Sequence, residues 1–223
     1  MKNSIKGIIF DLDGVIVFTD ELHFQAWNTL AKDLGIYFDR QINNLLRGVS
    51  RMESLEIVLR QYHGRALSEL EKIALAEKKN DIYKGLLEGM TPEDVSDEVR
   101  RSLHELARRG FKLAIGSSSK NTKRILEKVE LTEMFDAISD GTNIQRSKPD
   151  PEVFIKAAQF LGLEPQQCLV VEDADAGIEA AIAAGMSSAA VPPAAQTGKA
   201  DYLLKEFADL LNIAALDRTE GDC

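Results

Sequence analysis

Two aspartates separated by one residue, Asp11 and Asp13, follow directly on an apolar stretch at residues 5–10. A structural turn is one explanation, because Asp and the adjacent Gly14 tolerate unusual backbone angles at strand ends. A reactive site is the other, since one carboxylate can attack an electrophile while a second exchanges a proton. Residues elsewhere in the chain must decide between the two.

Polar residues also follow two later apolar stretches. A serine-rich turn at 117–121 comes after residues 111–116, and Glu172 and Asp173 come after residues 168–171. Taken alone, the serine-rich turn is typical of a helix cap. In an open parallel sheet, however, ligands bind beyond the carboxyl ends of the strands, so all these groups would share one edge. Their order along the chain therefore favours a common site.

Four carboxylates would meet at that edge: Asp11, Asp13, Glu172 and Asp173. They would repel each other strongly unless a cation joined them, and a hard divalent ion with oxygen ligands fits. Mg²⁺ is favoured where a phosphate supplies another ligand. Lys148 and the serine-rich turn at a helix start would then donate to the phosphate. An EF-hand is excluded because Val15 occupies the next ligand position.

The positions of the strands and helices follow from the apolar pattern. Residues 5–10, 111–116 and 168–171 are typical of buried parallel strands, and residues 135–139 and 187–191 are weaker candidates. Amphipathic helices lie between them and are expected to end at Gly110 and Gly162, because glycine is common just past the last helical turn. This alternation predicts a doubly wound α/β fold with a parallel sheet.

Between about residues 20 and 88 helical patterns follow one another without a strand. SRME at 50–53 and SELE at 68–71 both fit the capping box, in which Ser and Glu satisfy free backbone donors. TPEDVSDE at 91–98 is interpreted as the return linker. We therefore predict two domains, an α/β core formed by 1–16 and 92–223 and an inserted helical cap formed by 17–91.

Composition limits the class of partner. The 223 residues include 27 Lys and Arg against 36 Asp and Glu, a net charge of −9, which disfavours binding to nucleic acid or anionic membranes. No apolar run reaches the length of a membrane span and no signal segment is present, so we expect a cytoplasmic protein. Cys168 and Cys223 lack metal-ligand spacing and indicate no disulfide framework.

Four segments resemble the motifs of the haloacid dehalogenase superfamily: DLDGV at 11–15, the turn at Ser117, SKPDP at 147–151 and VED at 171–173. This resemblance covers nearly the whole chain. It implies a Rossmann-like core in which Asp11 is a nucleophile that forms an aspartyl-phosphate and Asp13 is the general acid/base. The presence of Asp13 argues against the dehalogenase branch, which cleaves carbon–halogen bonds without that acid.

The same resemblance implies the remaining parts of the core site. Ser117 and Lys148 would hold the transferring phosphoryl group. Mg²⁺ would be bound by Asp11, Asp13 through its backbone carbonyl, Glu172 and Asp173.

The helical segment is similar to the cap of the β-phosphoglucomutase family in HFQAW at 23–27, RGVSR at 47–51 and KKND at 78–81. In that family the cap closes over the core, so Arg51 would bind the distal phosphate of a sugar. Thr19 would lie at the hinge and His23 would orient Asp13. The other implied substrate contacts are Trp27, Arg47, Gly48, Val49, Ser50, Ser54, Lys79, Ser119, Lys120 and Asn121. Arg47 stands where that family usually has lysine.

These features together predict a Mg²⁺-dependent phosphomutase acting on a small sugar phosphate, expected to be a monomer. It would interconvert β-D-glucose 1-phosphate and D-glucose 6-phosphate through an aspartyl-phosphate and a bisphosphate intermediate. A phosphatase of small sugar or polyol phosphates is the alternative, since it would use the same two aspartates. A noncatalytic sensor of sugar phosphates is a third, disfavoured because binding alone needs no nucleophile.

Overall fold

A computed structural model describes residues 4–47, 49–192 and 198–216. Its six parallel strands lie in the order β3-β2-β1-β4-β5-β6. They are β1 (Gly7–Phe10), β2 (Lys112–Gly116), β3 (Ala137–Ser139), β4 (Cys168–Glu172), β5 (Ser187–Ala190) and β6 (Tyr202–Leu203). The five predicted strands are confirmed, whereas the two-residue strand β6 was not predicted. Central β1 lies between β2 and β4, which brings their three carboxyl ends together.

Both faces of the sheet are covered by helices. Ile8 and Phe10 of β1 face one hydrophobic cluster, which includes residues of α5 (Asp97–Arg108), α6 (Thr122–Lys128) and α9 (Leu210–Leu216). Ile9 faces a second cluster with α7 (Glu152–Leu161) and α8 (Asp175–Ala183). Strands buried on both faces need continuous apolar runs, as the sequence has. The predicted doubly wound α/β fold is confirmed.

The predicted helix ends agree with the structure. Gly110 and Gly162 both adopt positive φ angles, of 81° and 67°, just past α5 and α7. The linker prediction at 91–98 was too long, because α5 already begins at Asp97, with the Ser96 side chain accepting the backbone N–H of Val99. Ser96 is a good N-cap residue, and its hydrogen bond fixes the helix start inside the predicted linker.

Four helices separate β1 from α5 and are called here the helical insert. They are α1 (Asp20–Asp33), α2 (Arg40–Asn44), α3 (Arg51–Leu59) and α4 (Glu69–Leu87). Both predicted capping boxes, Ser50 with Glu53 and Ser68 with Glu71, are confirmed. Trp27 belongs to a separate cluster within the insert. The domain boundaries after residues 16 and 91 stay a prediction.

Two smaller observations bear on the composition. In the described part of the chain, no helix combines the length and apolar character required to cross a membrane. Cys168 is a free, fully buried thiol at the start of β4, and burial raises its pKa to about 12. Cys168 is therefore part of the core, while Cys223 lies outside the described residues.

Candidate active site

The carboxyl ends of β1, β2 and β4 place the predicted core residues at one edge of the sheet. Asp11 follows β1, Ser117 follows β2, and Glu172 is the last residue of β4. All three side chains are buried, with Ser117 and Glu172 only 1% exposed. The sheet register therefore gathers groups that are more than 160 residues apart in sequence.

Asp11, Glu172 and Asp173 form what we call the acidic cluster. One carboxylate oxygen from each lies within 4.8 Å of the others. The Nζ of Lys148 donates to Oδ1 of Asp11 at 2.5 Å and to Oε1 of Glu172 at 2.6 Å. The other oxygen of Glu172 accepts the backbone N–H groups of Asp173 and Ala174 at 2.7 and 2.8 Å. Lys148 thus contacts two of the three buried acids, and the third, Asp173, has a longer contact with Arg47 at 3.5 Å.

The charges of this cluster are poorly balanced. Burial, reinforced by Glu172, raises the pKa of Asp11 to about 7 and that of Asp173 to about 8. Although burial alone would lower the pKa of Lys148, its ion pairs with Asp11 and Glu172 raise it above its usual value. A set of oxygen ligands with excess negative charge suits a hard divalent cation. The residues present therefore fit a Mg²⁺ ion.

Two glycines allow the acidic cluster to form. A Cβ on Gly14, which has a φ of 92°, would collide with the carboxylate of Asp173. A Cβ on Gly177 of α8 would collide with the carboxylate of Glu172. A side chain at either position would therefore displace an acid of the cluster from its place. Gly177 was not singled out in the sequence.

Asp13 is not part of the acidic cluster and contacts a second set of polar groups. Its Oδ1 accepts a short hydrogen bond from the Thr19 hydroxyl and lies 4.0 Å from Nε2 of His23. Burial raises the pKa of Asp13, an effect that the Thr19 hydrogen bond opposes. The predicted hinge residue Thr19 thus contacts Asp13 directly. The metal contact through the Asp13 carbonyl stays a prediction.

Lys79 extends this set from α4. Its Nζ lies 3.0 Å from Nδ1 of His23 and 4.9 and 4.6 Å from the ring centroids of Trp27 and Tyr83. Burial, together with the positive charge of Arg51, lowers the pKa of Lys79 to about 7. Burial and Lys79 lower the pKa of His23 well below its usual range. At neutral pH His23 is therefore uncharged, and its Nδ1 can accept a hydrogen bond from the Nζ of Lys79.

Residues 117–121, called here the serine loop, are held by their own hydroxyl groups. The Ser117 Oγ accepts the backbone N–H of Ser119 at 3.1 Å, and the Ser119 Oγ accepts that of Asn121 at 3.1 Å. Each hydroxyl still has its own proton to donate. Lys120 is exposed at the rim. The loop can therefore present hydroxyl donors to an anion.

A cavity of about 840 Å³ separates the insert from the sheet edge. The acidic cluster, the serine loop and Lys148 line one side of it. Arg51 lines the opposite side and has no ion-pair partner among the described residues, with Glu77 and Asp81 acting on it only at longer range. The other predicted contacts that line the cavity from the insert are Trp27, Arg47, Val49, Ser50, Ser54 and Lys79.

Three predicted substrate contacts, Arg47, Gly48 and Ser50, differ from the others. The terminal nitrogens of Arg47 pair with Asp20 and Asp173 at 3.0 and 3.5 Å, whereas its buried Nε has no hydrogen-bond partner among the described residues. The Ser50 hydroxyl accepts the backbone N–H of Glu53 as the N-cap of α3. Gly48 lies outside the described residues. Direct substrate binding by these residues stays a prediction.

Sequence reasoning missed several polar residues that the fold brings to the cavity, three of which contact predicted site residues. Asp20 pairs with Arg47, Tyr83 packs against the His23 ring at 4.1 Å, and Asn80 bonds to Asn121. Tyr83 stands four residues after Lys79, a spacing that places both on one face of a helix. That spacing was a usable signal for Tyr83, whereas the partners of Asp20 and Asn80 lie in distant segments.

Comparison with known proteins agrees with this geometry. The model of a haloacid dehalogenase-like hydrolase family matches residues 5–185. The chain belongs to this family, which confirms the resemblance found in the core motifs.

The similar proteins have two kinds of activity, phosphomutase and phosphatase. The chain is 40% identical over 209 residues to the β-phosphoglucomutase of Bacillus subtilis (strain 168), covering 92% of each chain. It is 33% identical to the fructose-1-phosphate phosphatase YqaB of Escherichia coli (strain K12), covering 84% of this chain and 97% of the relative. The solved structure of a β-phosphoglucomutase from Clostridium difficile matches with a TM-score of 0.89 and 34% identity, covering 97% and 98%.

Proposed function

We propose that this chain is a phosphomutase that interconverts β-D-glucose 1-phosphate and D-glucose 6-phosphate through β-glucose 1,6-bisphosphate. The observation that carries the proposal is the presence of anion-binding groups on both sides of one cavity. Lys148 and Ser117 lie on the core side, and Arg51 and Lys79 on the insert side. A bisphosphate has two anionic ends and needs a binding group for each, whereas a monophosphate needs only one.

Asp11 is the proposed nucleophile. One of its carboxylate oxygens forms a bond to phosphorus while the bond between phosphorus and the sugar oxygen breaks, which leaves an aspartyl-phosphate and a sugar hydroxyl. In the second half, a hydroxyl of the bound sugar monophosphate attacks that phosphorus and restores the Asp11 carboxylate. Lys148, already in contact with Asp11, would neutralise part of the charge on the transferring group.

Asp13 is the proposed proton carrier for both halves. Its raised pKa favours the protonated form that donates to the departing sugar oxygen. The carboxylate formed in that step then accepts the proton of the attacking hydroxyl. Thr19, bonded to Asp13, would hold the carboxyl group in one orientation through both steps. Water competes with the sugar, so the insert above the cavity would favour transfer by excluding it.

Asp11, Glu172 and Asp173 would hold Mg²⁺. When bound, the ion would shield the charge of the phosphoryl group and keep Asp11 ionised at neutral pH. Lys148 remains in place as a hydrogen-bond donor to Asp11 and Glu172.

A phosphatase acting on small sugar phosphates is the second candidate. The 33% identity to a fructose-1-phosphate phosphatase over most of the chain favours it. The two activities share the first half-reaction and differ only in whether a sugar hydroxyl or water accepts the phosphoryl group from Asp11. The choice between the two activities therefore depends on whether a sugar hydroxyl or water accepts the phosphoryl group.

The deciding experiment supplies β-glucose 1-phosphate, Mg²⁺ and a catalytic amount of β-glucose 1,6-bisphosphate. Glucose 6-phosphate and inorganic phosphate are then measured in the same reaction. We expect glucose 6-phosphate as the main product, with Asp11→Asn as the inactive control. Inorganic phosphate as the main product would instead establish the phosphatase.

A further inference from the structure

Asn80 of α4 and Asn121 of the serine loop form a direct hydrogen bond between the insert and the core. The Nδ2 of Asn121 donates to the Oδ1 of Asn80 at 2.9 Å, and each residue is 8% exposed. By contrast, the contact of Arg47 with Asp173 is part-buried. Removing one partner of a buried amide pair leaves an unsatisfied polar group, so the bond strongly favours one relative position.

On the core side the bond continues into the serine loop. The backbone N–H of Asn121 donates to Ser119 Oγ, and that of Ser119 donates to Ser117 Oγ. Asn121 therefore connects the two contacts, because its backbone N–H ends a line of hydrogen bonds that begins at Ser117 and its side-chain amide bonds to Asn80. A change in the orientation of Asn121 acts on the hydroxyl groups that would face the phosphate.

On the insert side the bond begins next to Lys79. Lys79 contacts His23, whose ring in turn faces Asp13. Adjacent residues of one rigid helix thus reach two different parts of the site, with Lys79 directed to the proton carrier and Asn80 to the serine loop. A movement of α4 away from the core would break the bond of Asn80 to Asn121 and would also displace Lys79.

We infer that Asn80 is a positioning residue, which ties the conformation of the serine loop, through Asn121, to the arrangement of the insert in which these two residues meet. The inference rests on the proposed function, because it assigns this bond a part in phosphoryl transfer. Asn80 acts through Asn121 and not on the reacting atoms. Its loss leaves the acidic cluster, Lys148 and Asp13 chemically intact.

A double-mutant cycle tests the bond itself. Asn80→Ala, Asn121→Ala and the double variant are compared for kcat and KM in the β-glucose 1-phosphate reaction. We expect Asn80→Ala to lower kcat/KM by roughly 5- to 30-fold, as one or two kcal/mol would do. The double variant should be no worse than Asn121→Ala, because the shared bond is already lost. Additive losses would overturn the inference.

Asn44→Ala is the matched control for this cycle. Asn44 is an exposed residue of α2 in the same insert, and its truncation should leave kcat/KM unchanged. Equal losses for Asn44→Ala and Asn80→Ala would attribute the effect to the insert in general and overturn the role of Asn80.

A distance measurement separates this inference from the proposed function. Spin labels are attached at Leu70→Cys of α4 and Phe160→Cys of α7, two exposed positions, in a Cys223→Ser background. With inorganic phosphate and Mg²⁺ as the probe, Asn80→Ala should shift the label distances toward longer values. Asn80→Asp keeps an acceptor oxygen for Asn121 and should retain the shorter distances.

The outcomes are distinct. An unchanged distance distribution in a folded Asn80→Ala variant would overturn the inference, whatever reaction the wild type catalyses. A shift in Asn80→Ala that Asn80→Asp reverses would support it, even if the wild type proved to release phosphate to water.

Discussion

The Nζ of Lys79 lies 3.0 Å from the Nδ1 of His23, in a part of the insert where Lys79 is only 2% exposed. A charged ammonium is costly in such surroundings, and Arg51 adds repulsion, so the pKa of Lys79 falls to about 7. A bound anion would reverse this effect by favouring the charged form. The protonation state of Lys79 would thus depend on whether an anion occupies the cavity.

The first prediction concerns the pH dependence of stability. Between about pH 7 and the usual lysine pKa of about 10.4, the unfolded chain binds a proton at Lys79 that the folded chain does not. Folding must therefore release this proton, at a free-energy cost that grows as the pH falls from about 10 toward 7. Lys79→Met has no proton to release and avoids this cost, so the variant should gain stability relative to the wild type as the pH is lowered from 10 to 7. Urea denaturation at several pH values measures the free energy of unfolding of both proteins. Parallel pH profiles for the two would contradict the prediction.

The second prediction concerns the proton carrier. Asp13→Asn keeps the shape of the side chain and an acceptor for Thr19 but removes proton transfer, so turnover should fall by roughly 10² to 10⁴. Thr19→Val keeps the carboxyl group and should cause a smaller loss. Steady-state kinetics with β-glucose 1-phosphate measure both variants. Near-normal turnover of Asp13→Asn would refute the assigned role.

The third prediction concerns the metal site. Asp173→Asn removes a charge from the acidic cluster and should weaken Mg²⁺ binding at least roughly 10-fold, measured by calorimetry. Asp175→Asn is the matched control, because this exposed acid lies two residues further on at the start of α8. Comparable losses of affinity in both variants would indicate a general charge effect and not coordination by Asp173.

The sequence predicted the sheet and the position of its acids because the necessary signals are local. Apolar runs identify the buried strands, and the polar residues after each run lie at one sheet edge in any parallel arrangement. Strand β6 was missed since two residues, Tyr202 and Leu203, carry no detectable period. An apolar pattern can be recognised only in a strand that is long enough to contain it.

Contacts between the insert and the core could not be predicted in the same way. The periodicity of α4 shows which of its residues share a face, but it does not show which core residues that face contacts. The bond from Asn121 to Asn80 therefore could not be predicted. The pairing of Arg47 with Asp173 joins residues 126 positions apart for the same reason. Helical patterns describe each element, whereas these bonds depend on how separate elements are placed.

The last prediction concerns Arg51, because it separates a mutase from a phosphatase. A mutase must bind the intermediate in both orientations, so each end of the bisphosphate needs a partner. A charge-assisted contact from Arg51 to the distal phosphate would contribute roughly 1.5 to 3 kcal/mol. Arg51→Ala should therefore lower the isomerisation of β-glucose 1-phosphate by about 10- to 150-fold.

The same variant should retain phosphorylation of Asp11 by a small donor such as acetyl phosphate, which has no distal phosphate to bind. Arg60→Ala is the matched control, since Arg60 is an exposed arginine at the far end of the same helix, α3. Equal loss of both reactions in Arg51→Ala would identify a structural arginine. Loss of neither would show that Arg51 does not bind the distal phosphate.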